Sequence, residues 1–214
     1  MTKYMKTGVD FKELKEIEKR ILEGIKLEDS FSNPKTIAAF DVGYIGNKYV
    51  CAAVVISMES KEIIEKNNIE GEEVMPYSPN LVAFREGPVI VNAFRSLNNR
   101  PEIIMIKGMG AIHPKKAGLA SYVGVILNKP CFGVSKELAF GYLEEDKVMF
   151  NNEIKGIALN AKPYAKPVYV TPGHNITLNT SVEIAKKLID EQYKLPLPLH
   201  LAHKLVNKLK NEKK

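Results

Sequence analysis

The sequence predicts an α/β fold: a mixed sheet, flanked by helices, in which an antiparallel three-strand meander is followed by parallel strands. Three observations carry the prediction. Two β-rich apolar runs and a third, more polar one follow each other closely between residues 36 and 70. Beyond residue 100, apolar runs of strand length alternate with stretches of helical spacing, the pattern of strands joined by crossover helices. Amphipathic helical stretches lie near both ends of the chain.

Within residues 10–29, Phe11, Leu14, Ile17, Ile21 and Ile25 recur at spacings of three and four with charges between them. A helix is expected there, with Asp10 as its N-cap and SFSNPK as its end. TIAAFDVGYIG and KYVCAAVVIS are strand-like, and Gly46 and Asn47 between them suit a hairpin turn. KEIIEKNNIE supplies a more exposed third strand. LVAFREGPVIVNAFRSLNN carries Leu81, Phe84, Val91 and Phe94 at helical spacing, and Pro88 predicts a kink or a break near Glu86. A strand at 102–107, a helix from about 114 to 127 and a strand at 131–135 come next. KPVYVTPG reads as another strand, and NTSVEIAKKLIDEQYKL as a helix capped by Asn179 or Thr180, with a Thr180-x-x-Glu183 capping box. A last helix begins about Leu199 and runs into a basic tail.

A chain of 214 residues buries one good core, and without repeats or a long linker it is expected to form a single domain over 1–214. Lysine and arginine exceed the acids by 31 − 25 = 6, which favours a polyanionic partner without naming it. Cys51 and Cys131 stand far apart beside apolar residues and read as buried free thiols. The N-terminal stretch lacks the apolar core of a signal peptide and no window approaches a membrane span, so a cytoplasmic protein with no membrane partner is expected, as a monomer.

Several polar groups are out of place for packing alone. Asp41 follows TIAAF in a strand, where it either ends at an exposed face or points into a cleft with a partner. Glu86, in FREGP, is a surface helix residue unless it meets Asp41, in which case two carboxylates from a strand and a helix make oxygen ligands for Mg²⁺. His113, Pro114, Lys115 and Lys116 form either a solvated helix start or a basic step facing a phosphate, with His113 as proton carrier. Lys136, at the end of CFGVSKE, meets phosphate or reaches into water. Tyr77 between Pro76 and Pro79 sits at the tip of a stiff loop, a turn or a wedge between bases. Gly173 and His174 mark a strand-to-helix turn. His200 and His203 stand three apart, near metal-ligand spacing, but no Cys or acid accompanies them at suitable spacing.

Taken in order, FDVGYIG, MPYSPNLVAFREGP, GMGAIHPKKAGLASYVGV, CFGVSKE and VYVTPGH resemble the endonuclease V family over about residues 36–195. The resemblance implies a ribonuclease H-like fold and a DNA-repair activity. That activity recognises a deaminated purine, deoxyinosine in DNA or inosine in RNA, and nicks the strand 3′ of the lesion with Mg²⁺ or Mn²⁺. It further implies catalytic roles for Asp41, Glu86, His113 and Lys136, with Asp41 and Glu86 as metal ligands. Tyr77, flanked by Pro76 and Pro79, is then the strand-separating wedge, with Lys115 and Lys116 near the nucleic acid. Gly108, Gly110, Gly173 and His174 would line the pocket for the flipped base.

One position departs from the pattern. Where the family writes Asp-Gly-His-Gly before its His-Pro, this chain writes Lys107-Gly108-Met109-Gly110. The replaced Asp is a direct metal ligand in the family. An ammonium about 4 Å from Mg²⁺ at an effective dielectric of about 20 repels it by on the order of 8 kcal/mol before relaxation. Lys107 is therefore expected to sit between Asp41 and Glu86, in the cation's place. Two functions follow as alternatives: a nuclease that manages with the remaining groups, or a homologue that binds inosine-containing or single-stranded nucleic acid without cutting.

Overall fold

The structure is a computed structural model and describes residues 10–73, 75–113 and 115–212; Pro114, Lys213 and Lys214 lie outside them. After helix α1 (Phe11–Gly24), strands β1 (Thr36–Ile45), β2 (Lys48–Ser57) and β3 (Ile63–Glu72) form the expected antiparallel meander. Its first turn is Gly46 and Asn47, with Gly46 at φ 57°, which glycine adopts without a steric cost. Helix α2 (Val82–Arg95) leads to β4 (Ile103–Lys107), and α3 (Leu119–Leu127) to β5 (Cys131–Ser135). Both strands run parallel to their predecessors in the sheet, β4 beside β1 and β5 beside β4. Strands β6 (Tyr142–Glu144), β7 (Lys147–Phe150) and β8 (Glu153–Leu159) form an antiparallel excursion that returns through β9 (Val168–His174), itself antiparallel to β5. Helices α4 (Leu178–Lys187) and α5 (Leu197–Asn211) follow, and the nine strands lie in the order β3-β2-β1-β4-β5-β9-β8-β7-β6.

Both faces of the central strands are covered, and the alternation of side chains sorts them cleanly. Ile37, Ala39, Ile103, Met105, Phe132 and Val134 pack in the layer that includes residues of α4 and α5. Ala38, Phe40, Ile104, Ile106 and Cys131 pack in the opposite layer with α2 and α3. Fully burying a side chain the size of Phe40 contributes about 2–3 kcal/mol, so the two layers hold the central strands firmly in register. Cys51 and Cys131 are free and buried, and burial pushes both thiols up.

Several element boundaries differ from expectation: α4 ends at Lys187 rather than running to 195, and four others differ for a tertiary reason. The first helix, capped by Asp10 as expected, ends at Gly24 rather than 29. Beyond it Ile25 turns extended, and Lys26 is tied to the end of β9: its N–H donates to His174 Nδ1 and its carbonyl accepts from Asn175 N. Helix α2 runs through Pro88 without the break, since the proline withholds one N–H from the ladder and packing on both sides supports the rest. Helix α3 begins at Leu119, not 114, because the preceding loop is pinned against β9: Gly110 N donates to Thr171 Oγ1 at 2.7 Å and Ala111 N to the Pro172 carbonyl at 2.7 Å. Helix α4 is capped by Thr177, whose Oγ1 accepts from Thr180 N at 3.2 Å, rather than by Asn179 or Thr180. The Thr180 hydroxyl is drawn off to Asp29 at 2.6 Å.

Candidate functional site

Parallel register decides where the charges collect. On β1, Asp41 follows Ile37 and Ala39 on the α5-facing side; on β4, Lys107 follows Ile103 and Met105. Lys107 pairs with Val134, and Lys136 lies two residues further along the same face, just past β5. Asp41 thus stands on β1 just past its last pair with β4, Lys107 ends β4, and Lys136 lies just past the end of β5, so the three charges gather at the edge where the parallel pairing stops. From the opposite layer, α2 brings Glu86 to that edge. All four line one cleft of about 330 Å³, with Tyr77, Gly108 and Glu137 also on its wall.

Asp41 is 3% exposed and both of its oxygens are engaged. Lys107 Nζ donates to Oδ1 at 2.8 Å, and the His203 ring on α5 reaches Oδ2 through Nδ1 at 2.6 Å. Asn207 Nδ2 lies 3.4 Å from His203 Nε2, so these partners together fit a proton on Nδ1 and a lone pair on Nε2. With that tautomer, the 3.3 Å approach of Lys107 Nζ to His203 Nδ1 is a contact between two donors sharing one carboxylate. Burial works to raise the Asp41 carboxyl. The hydrogen bond from His203, and the charge and hydrogen bond of Lys107, outweigh it and hold Asp41 below its usual range.

Glu86 is in the opposite condition. Burial first and the Asp41 charge second raise its carboxyl to about 7, against the opposing pull of Arg85 and Lys107. Lys136 is lowered by burial, then by the Lys107 and Lys194 charges, while Asp41 acts the other way. The two ammoniums therefore feel each other across the cleft. Among the described residues, no three His, Cys, Asp or Glu side chains gather as a group that could hold a metal ion.

The loop before α2 is held by Arg85, which is 7% exposed. Its guanidinium donates to Glu73 Oε1 from Nη2 at 2.8 Å and from Nε at 3.1 Å, and to the Met75 carbonyl at 3.1 Å. Its Cζ stands 3.5 Å from the Tyr44 ring centroid and 5.6 Å from that of Tyr77. Tyr77 is 63% exposed at the loop tip, so its ring projects while the loop's root is clamped. Beside it a smaller cavity of about 180 Å³ is lined by Tyr77, Gly108, Met109, Lys116 and Phe140 among others.

The remaining candidates divide. Gly108 lines both cavities, but Gly110, Gly173 and His174 do not belong with it. Gly110 is buried under β9, where a Cβ would stand 2.0 Å from the Pro172 carbonyl. Gly173 is wedged between Cys131 and Ala120, and His174 is 3% exposed with Nδ1 accepting from Lys26 N. All three are closely packed in this structure. His113 is not on the wall of the carboxylate cleft: its ring lies 5.1 Å from Phe140 and 5.0 Å from Phe150, centroid to centroid, and Nδ1 accepts from Lys115 N. Lys115 is exposed, whereas Lys116 is engaged by Glu18 of α1 at 3.5 Å. Pro76 is half-buried and Pro79 exposed at the start of a single 3-10 turn, Pro79–Leu81. His200 stacks on Tyr193 at 3.8 Å, whereas His203 turns to Asp41. Sequence reasoning had both histidines in view but missed the acid that His203 meets, because Asp41 lies 162 residues away. The Arg85 clamp, whose partners Glu73 and Met75 are only 12 and 10 residues away, depends on how the irregular tyrosine loop folds back on α2 and has no periodic signal.

Three antiparallel strands followed by two parallel ones, in the order β3-β2-β1-β4-β5, define a ribonuclease H-like fold. Among solved structures, the endonuclease V of Bacillus subtilis superposes with a TM-score of 0.87 at 26% identity, covering 96% of this chain and 94% of that one. An endonuclease V of Ciona intestinalis, determined with a 24mer DNA containing an inosine, has the same fold, with a TM-score of 0.82 at 24% identity over 95% of this chain and 98% of that one. The Endonuclease V family model matches residues 19–204, and the chain belongs to that family. The endonuclease V of Dictyoglomus thermophilum is 35% identical over 94% of this chain and 91% of its own, and that of Archaeoglobus fulgidus 30% identical over 95% of each.

Proposed function

We propose that this protein recognises a deaminated purine, deoxyinosine or inosine, in a nucleic-acid strand and holds it without Mg²⁺-dependent nicking. One observation carries the second half: the Lys107 ammonium is bonded to Asp41 at 2.8 Å, at the position where the family pattern has a third acidic ligand. A divalent ion such as Mg²⁺ or Mn²⁺ needs several anionic or neutral oxygens. Here one oxygen of Asp41 is taken by Lys107 and the other by His203, and Glu86 is raised to about 7, where half its population carries no charge. This donor set does not fit the ion, and no chemical step is assigned to one.

The first half rests on family membership, on the inosine-containing DNA bound by the Ciona relative, and on the exposed ring of Tyr77 over the smaller cavity. In this reading Tyr77 separates the strand at the lesion. The cavity beside it, with Gly108, Met109 and Phe140, takes the extruded base between an aromatic and a thioether. A second reading is favoured by the 28% exposure of the Lys107 side chain: if that flexible stem swings outward, Asp41, Glu86 and Lys136 remain for strand cleavage 3′ of the lesion. The test compares inosine- and adenosine-containing oligonucleotides, in DNA and RNA form, by gel shift and by cleavage in Mg²⁺ or Mn²⁺. Preferential binding with an intact strand is the expected result. Equal binding of both bases removes the first half, and rapid nicking removes the second.

A further inference from the structure

We propose that Lys107 and Lys136 together form a metal-free subsite for one phosphodiester group of the bound strand, with Lys107 standing in for a divalent cation as the phosphate's ligand. The inference deepens the reading above and rests on it for the identity of the polymer.

The geometry begins with the register. Lys107 and Val134 are paired across neighbouring parallel strands, and Lys136 is two residues beyond Val134, so both lysines leave the sheet on one face. Strands lie about 4.8 Å apart and rise about 3.3 Å per residue, which separates the two Cα atoms by roughly 8 Å, within the joint reach of two lysine stems around one phosphate. Both side chains line the same cleft at the carboxyl edge of the parallel strands, where open α/β sheets take their ligands. The influence of the Lys107 charge on Lys136 is the mutual repulsion such a pair has before an anion arrives.

Lys107 is also prepared for the task. An ammonium has three donors, and only one is directed at Asp41; 28% of the side chain stays open to the cleft. The Asp41 carboxylate, with His203 behind it, holds the ammonium at the strand end rather than letting it sample solvent. A fixed ammonium backed by a buried acid presents one positive charge and free N–H groups outward. A phosphodiester's two non-bridging oxygens, one charge between them, match the free donors of Lys107 and of Lys136. Glu86 and Glu137 on the same wall confine the anion to the lysine side.

The consequence is measurable without any cleavage assay. Binding of a fluorescent inosine-containing oligonucleotide at constant ionic strength is expected to be the same in EDTA and in Mg²⁺. A neutral methylphosphonate is then placed in turn at each linkage flanking the inosine. One linkage is expected to cost the wild type roughly tenfold in affinity, as charge-assisted hydrogen bonds do. In Lys107→Met and in Lys136→Met the same methylphosphonate is expected to cost little further, because its partner is already gone. Each variant is also expected to lower the slope of log affinity against log salt by about 0.7–0.9. Melting curves accompany each variant. Should Lys107→Met not fold, Lys136→Met and the wild-type EDTA comparison still decide. Tightening by tenfold or more on adding Mg²⁺ overturns the proposal, as does a scan in which no linkage couples to either lysine. Loss of base preference with the coupling intact would instead sink only the lesion reading, because the scan reports on the backbone whatever base it carries.

Discussion

Replacing Lys107 by Met leaves a buried carboxylate without its cation, and the cost is calculable from what remains around it. Asp41 is 3% exposed and its partner sits 2.8 Å away, so the arrangement is close to a buried pair, for which removing one member costs about 3–5 kcal/mol. Two features reduce the figure. The Lys107 side chain is 28% exposed, and His203 still holds Oδ2 at 2.6 Å. A loss of about 2 kcal/mol is expected, which for a chain of this length lowers Tm by about 4–8 °C. The pH dependence makes the prediction specific. In the wild type the folded pKa of Asp41 lies below its ordinary value of 3.8, so its ionisation stabilises the fold fully above that value and ceases to do so as pH falls through the folded one. Urea unfolding of wild type and Lys107→Met is therefore expected to differ at neutral pH and to converge in acid, on the low side of 3.8. Equal stability at neutral pH, or a deficit that persists unchanged in acid, refutes the pairing.

Four further outcomes follow from the same structure. Tyr77→Ala is expected to leave Tm unchanged, since the ring is 63% exposed, while abolishing base preference in gel shifts; Arg85→Met should lose the same preference through the unclamped loop, and also melt earlier, because Glu73 is left unpaired. With Glu86 raised to about 7, rising pH adds a negative charge to the cleft, so strand affinity measured by fluorescence anisotropy is expected to fall severalfold through that range, and Glu86→Gln to remove the step. Gly110→Ala forces a Cβ to within 2.0 Å of the Pro172 carbonyl and is expected to cost about 3 kcal/mol or more by denaturant unfolding.

What could be read from the chain was what local periodicity encodes. The meander from Thr36 to Glu72 and the β4–α3–β5 alternation are written in apolar spacing and a glycine turn, and Asp41 stands out as a charge inside an apolar strand and Lys107 as a charge ending one. The boundaries that shifted are those set from a distance: Asn175 takes Lys26 off the first helix, Thr171 and Pro172 hold the loop before α3, and Asp29 claims the Thr180 hydroxyl. The β6–β8 excursion gave no clear signal: β6 and β7 are only three and four residues long, and β8, though seven, buries only Gly156 and Leu159 and so lacks an alternating apolar face. In the site, neighbouring strands made Asp41 and Lys107 legible as a pair, whereas His203 and the Arg85 clamp depend on how α5 and the tyrosine loop pack. Gly110 and Gly173 show why a glycine loop is ambiguous in sequence: it suits both ligand approach and close packing, and only the neighbours at Pro172, Cys131 and Ala120 reveal the packing.

An ammonium, on the reading given above, holds the place of a metal ion beside Asp41. Mn²⁺ titration followed by electron paramagnetic resonance, on wild type and Lys107→Asp without nucleic acid, addresses that reading directly. No site-bound Mn²⁺ is expected in the wild type and one bound ion in Lys107→Asp, whose new carboxylate joins those of Asp41 and Glu86. One tightly bound Mn²⁺ in the wild type, lost on Asp41→Asn, would contradict it.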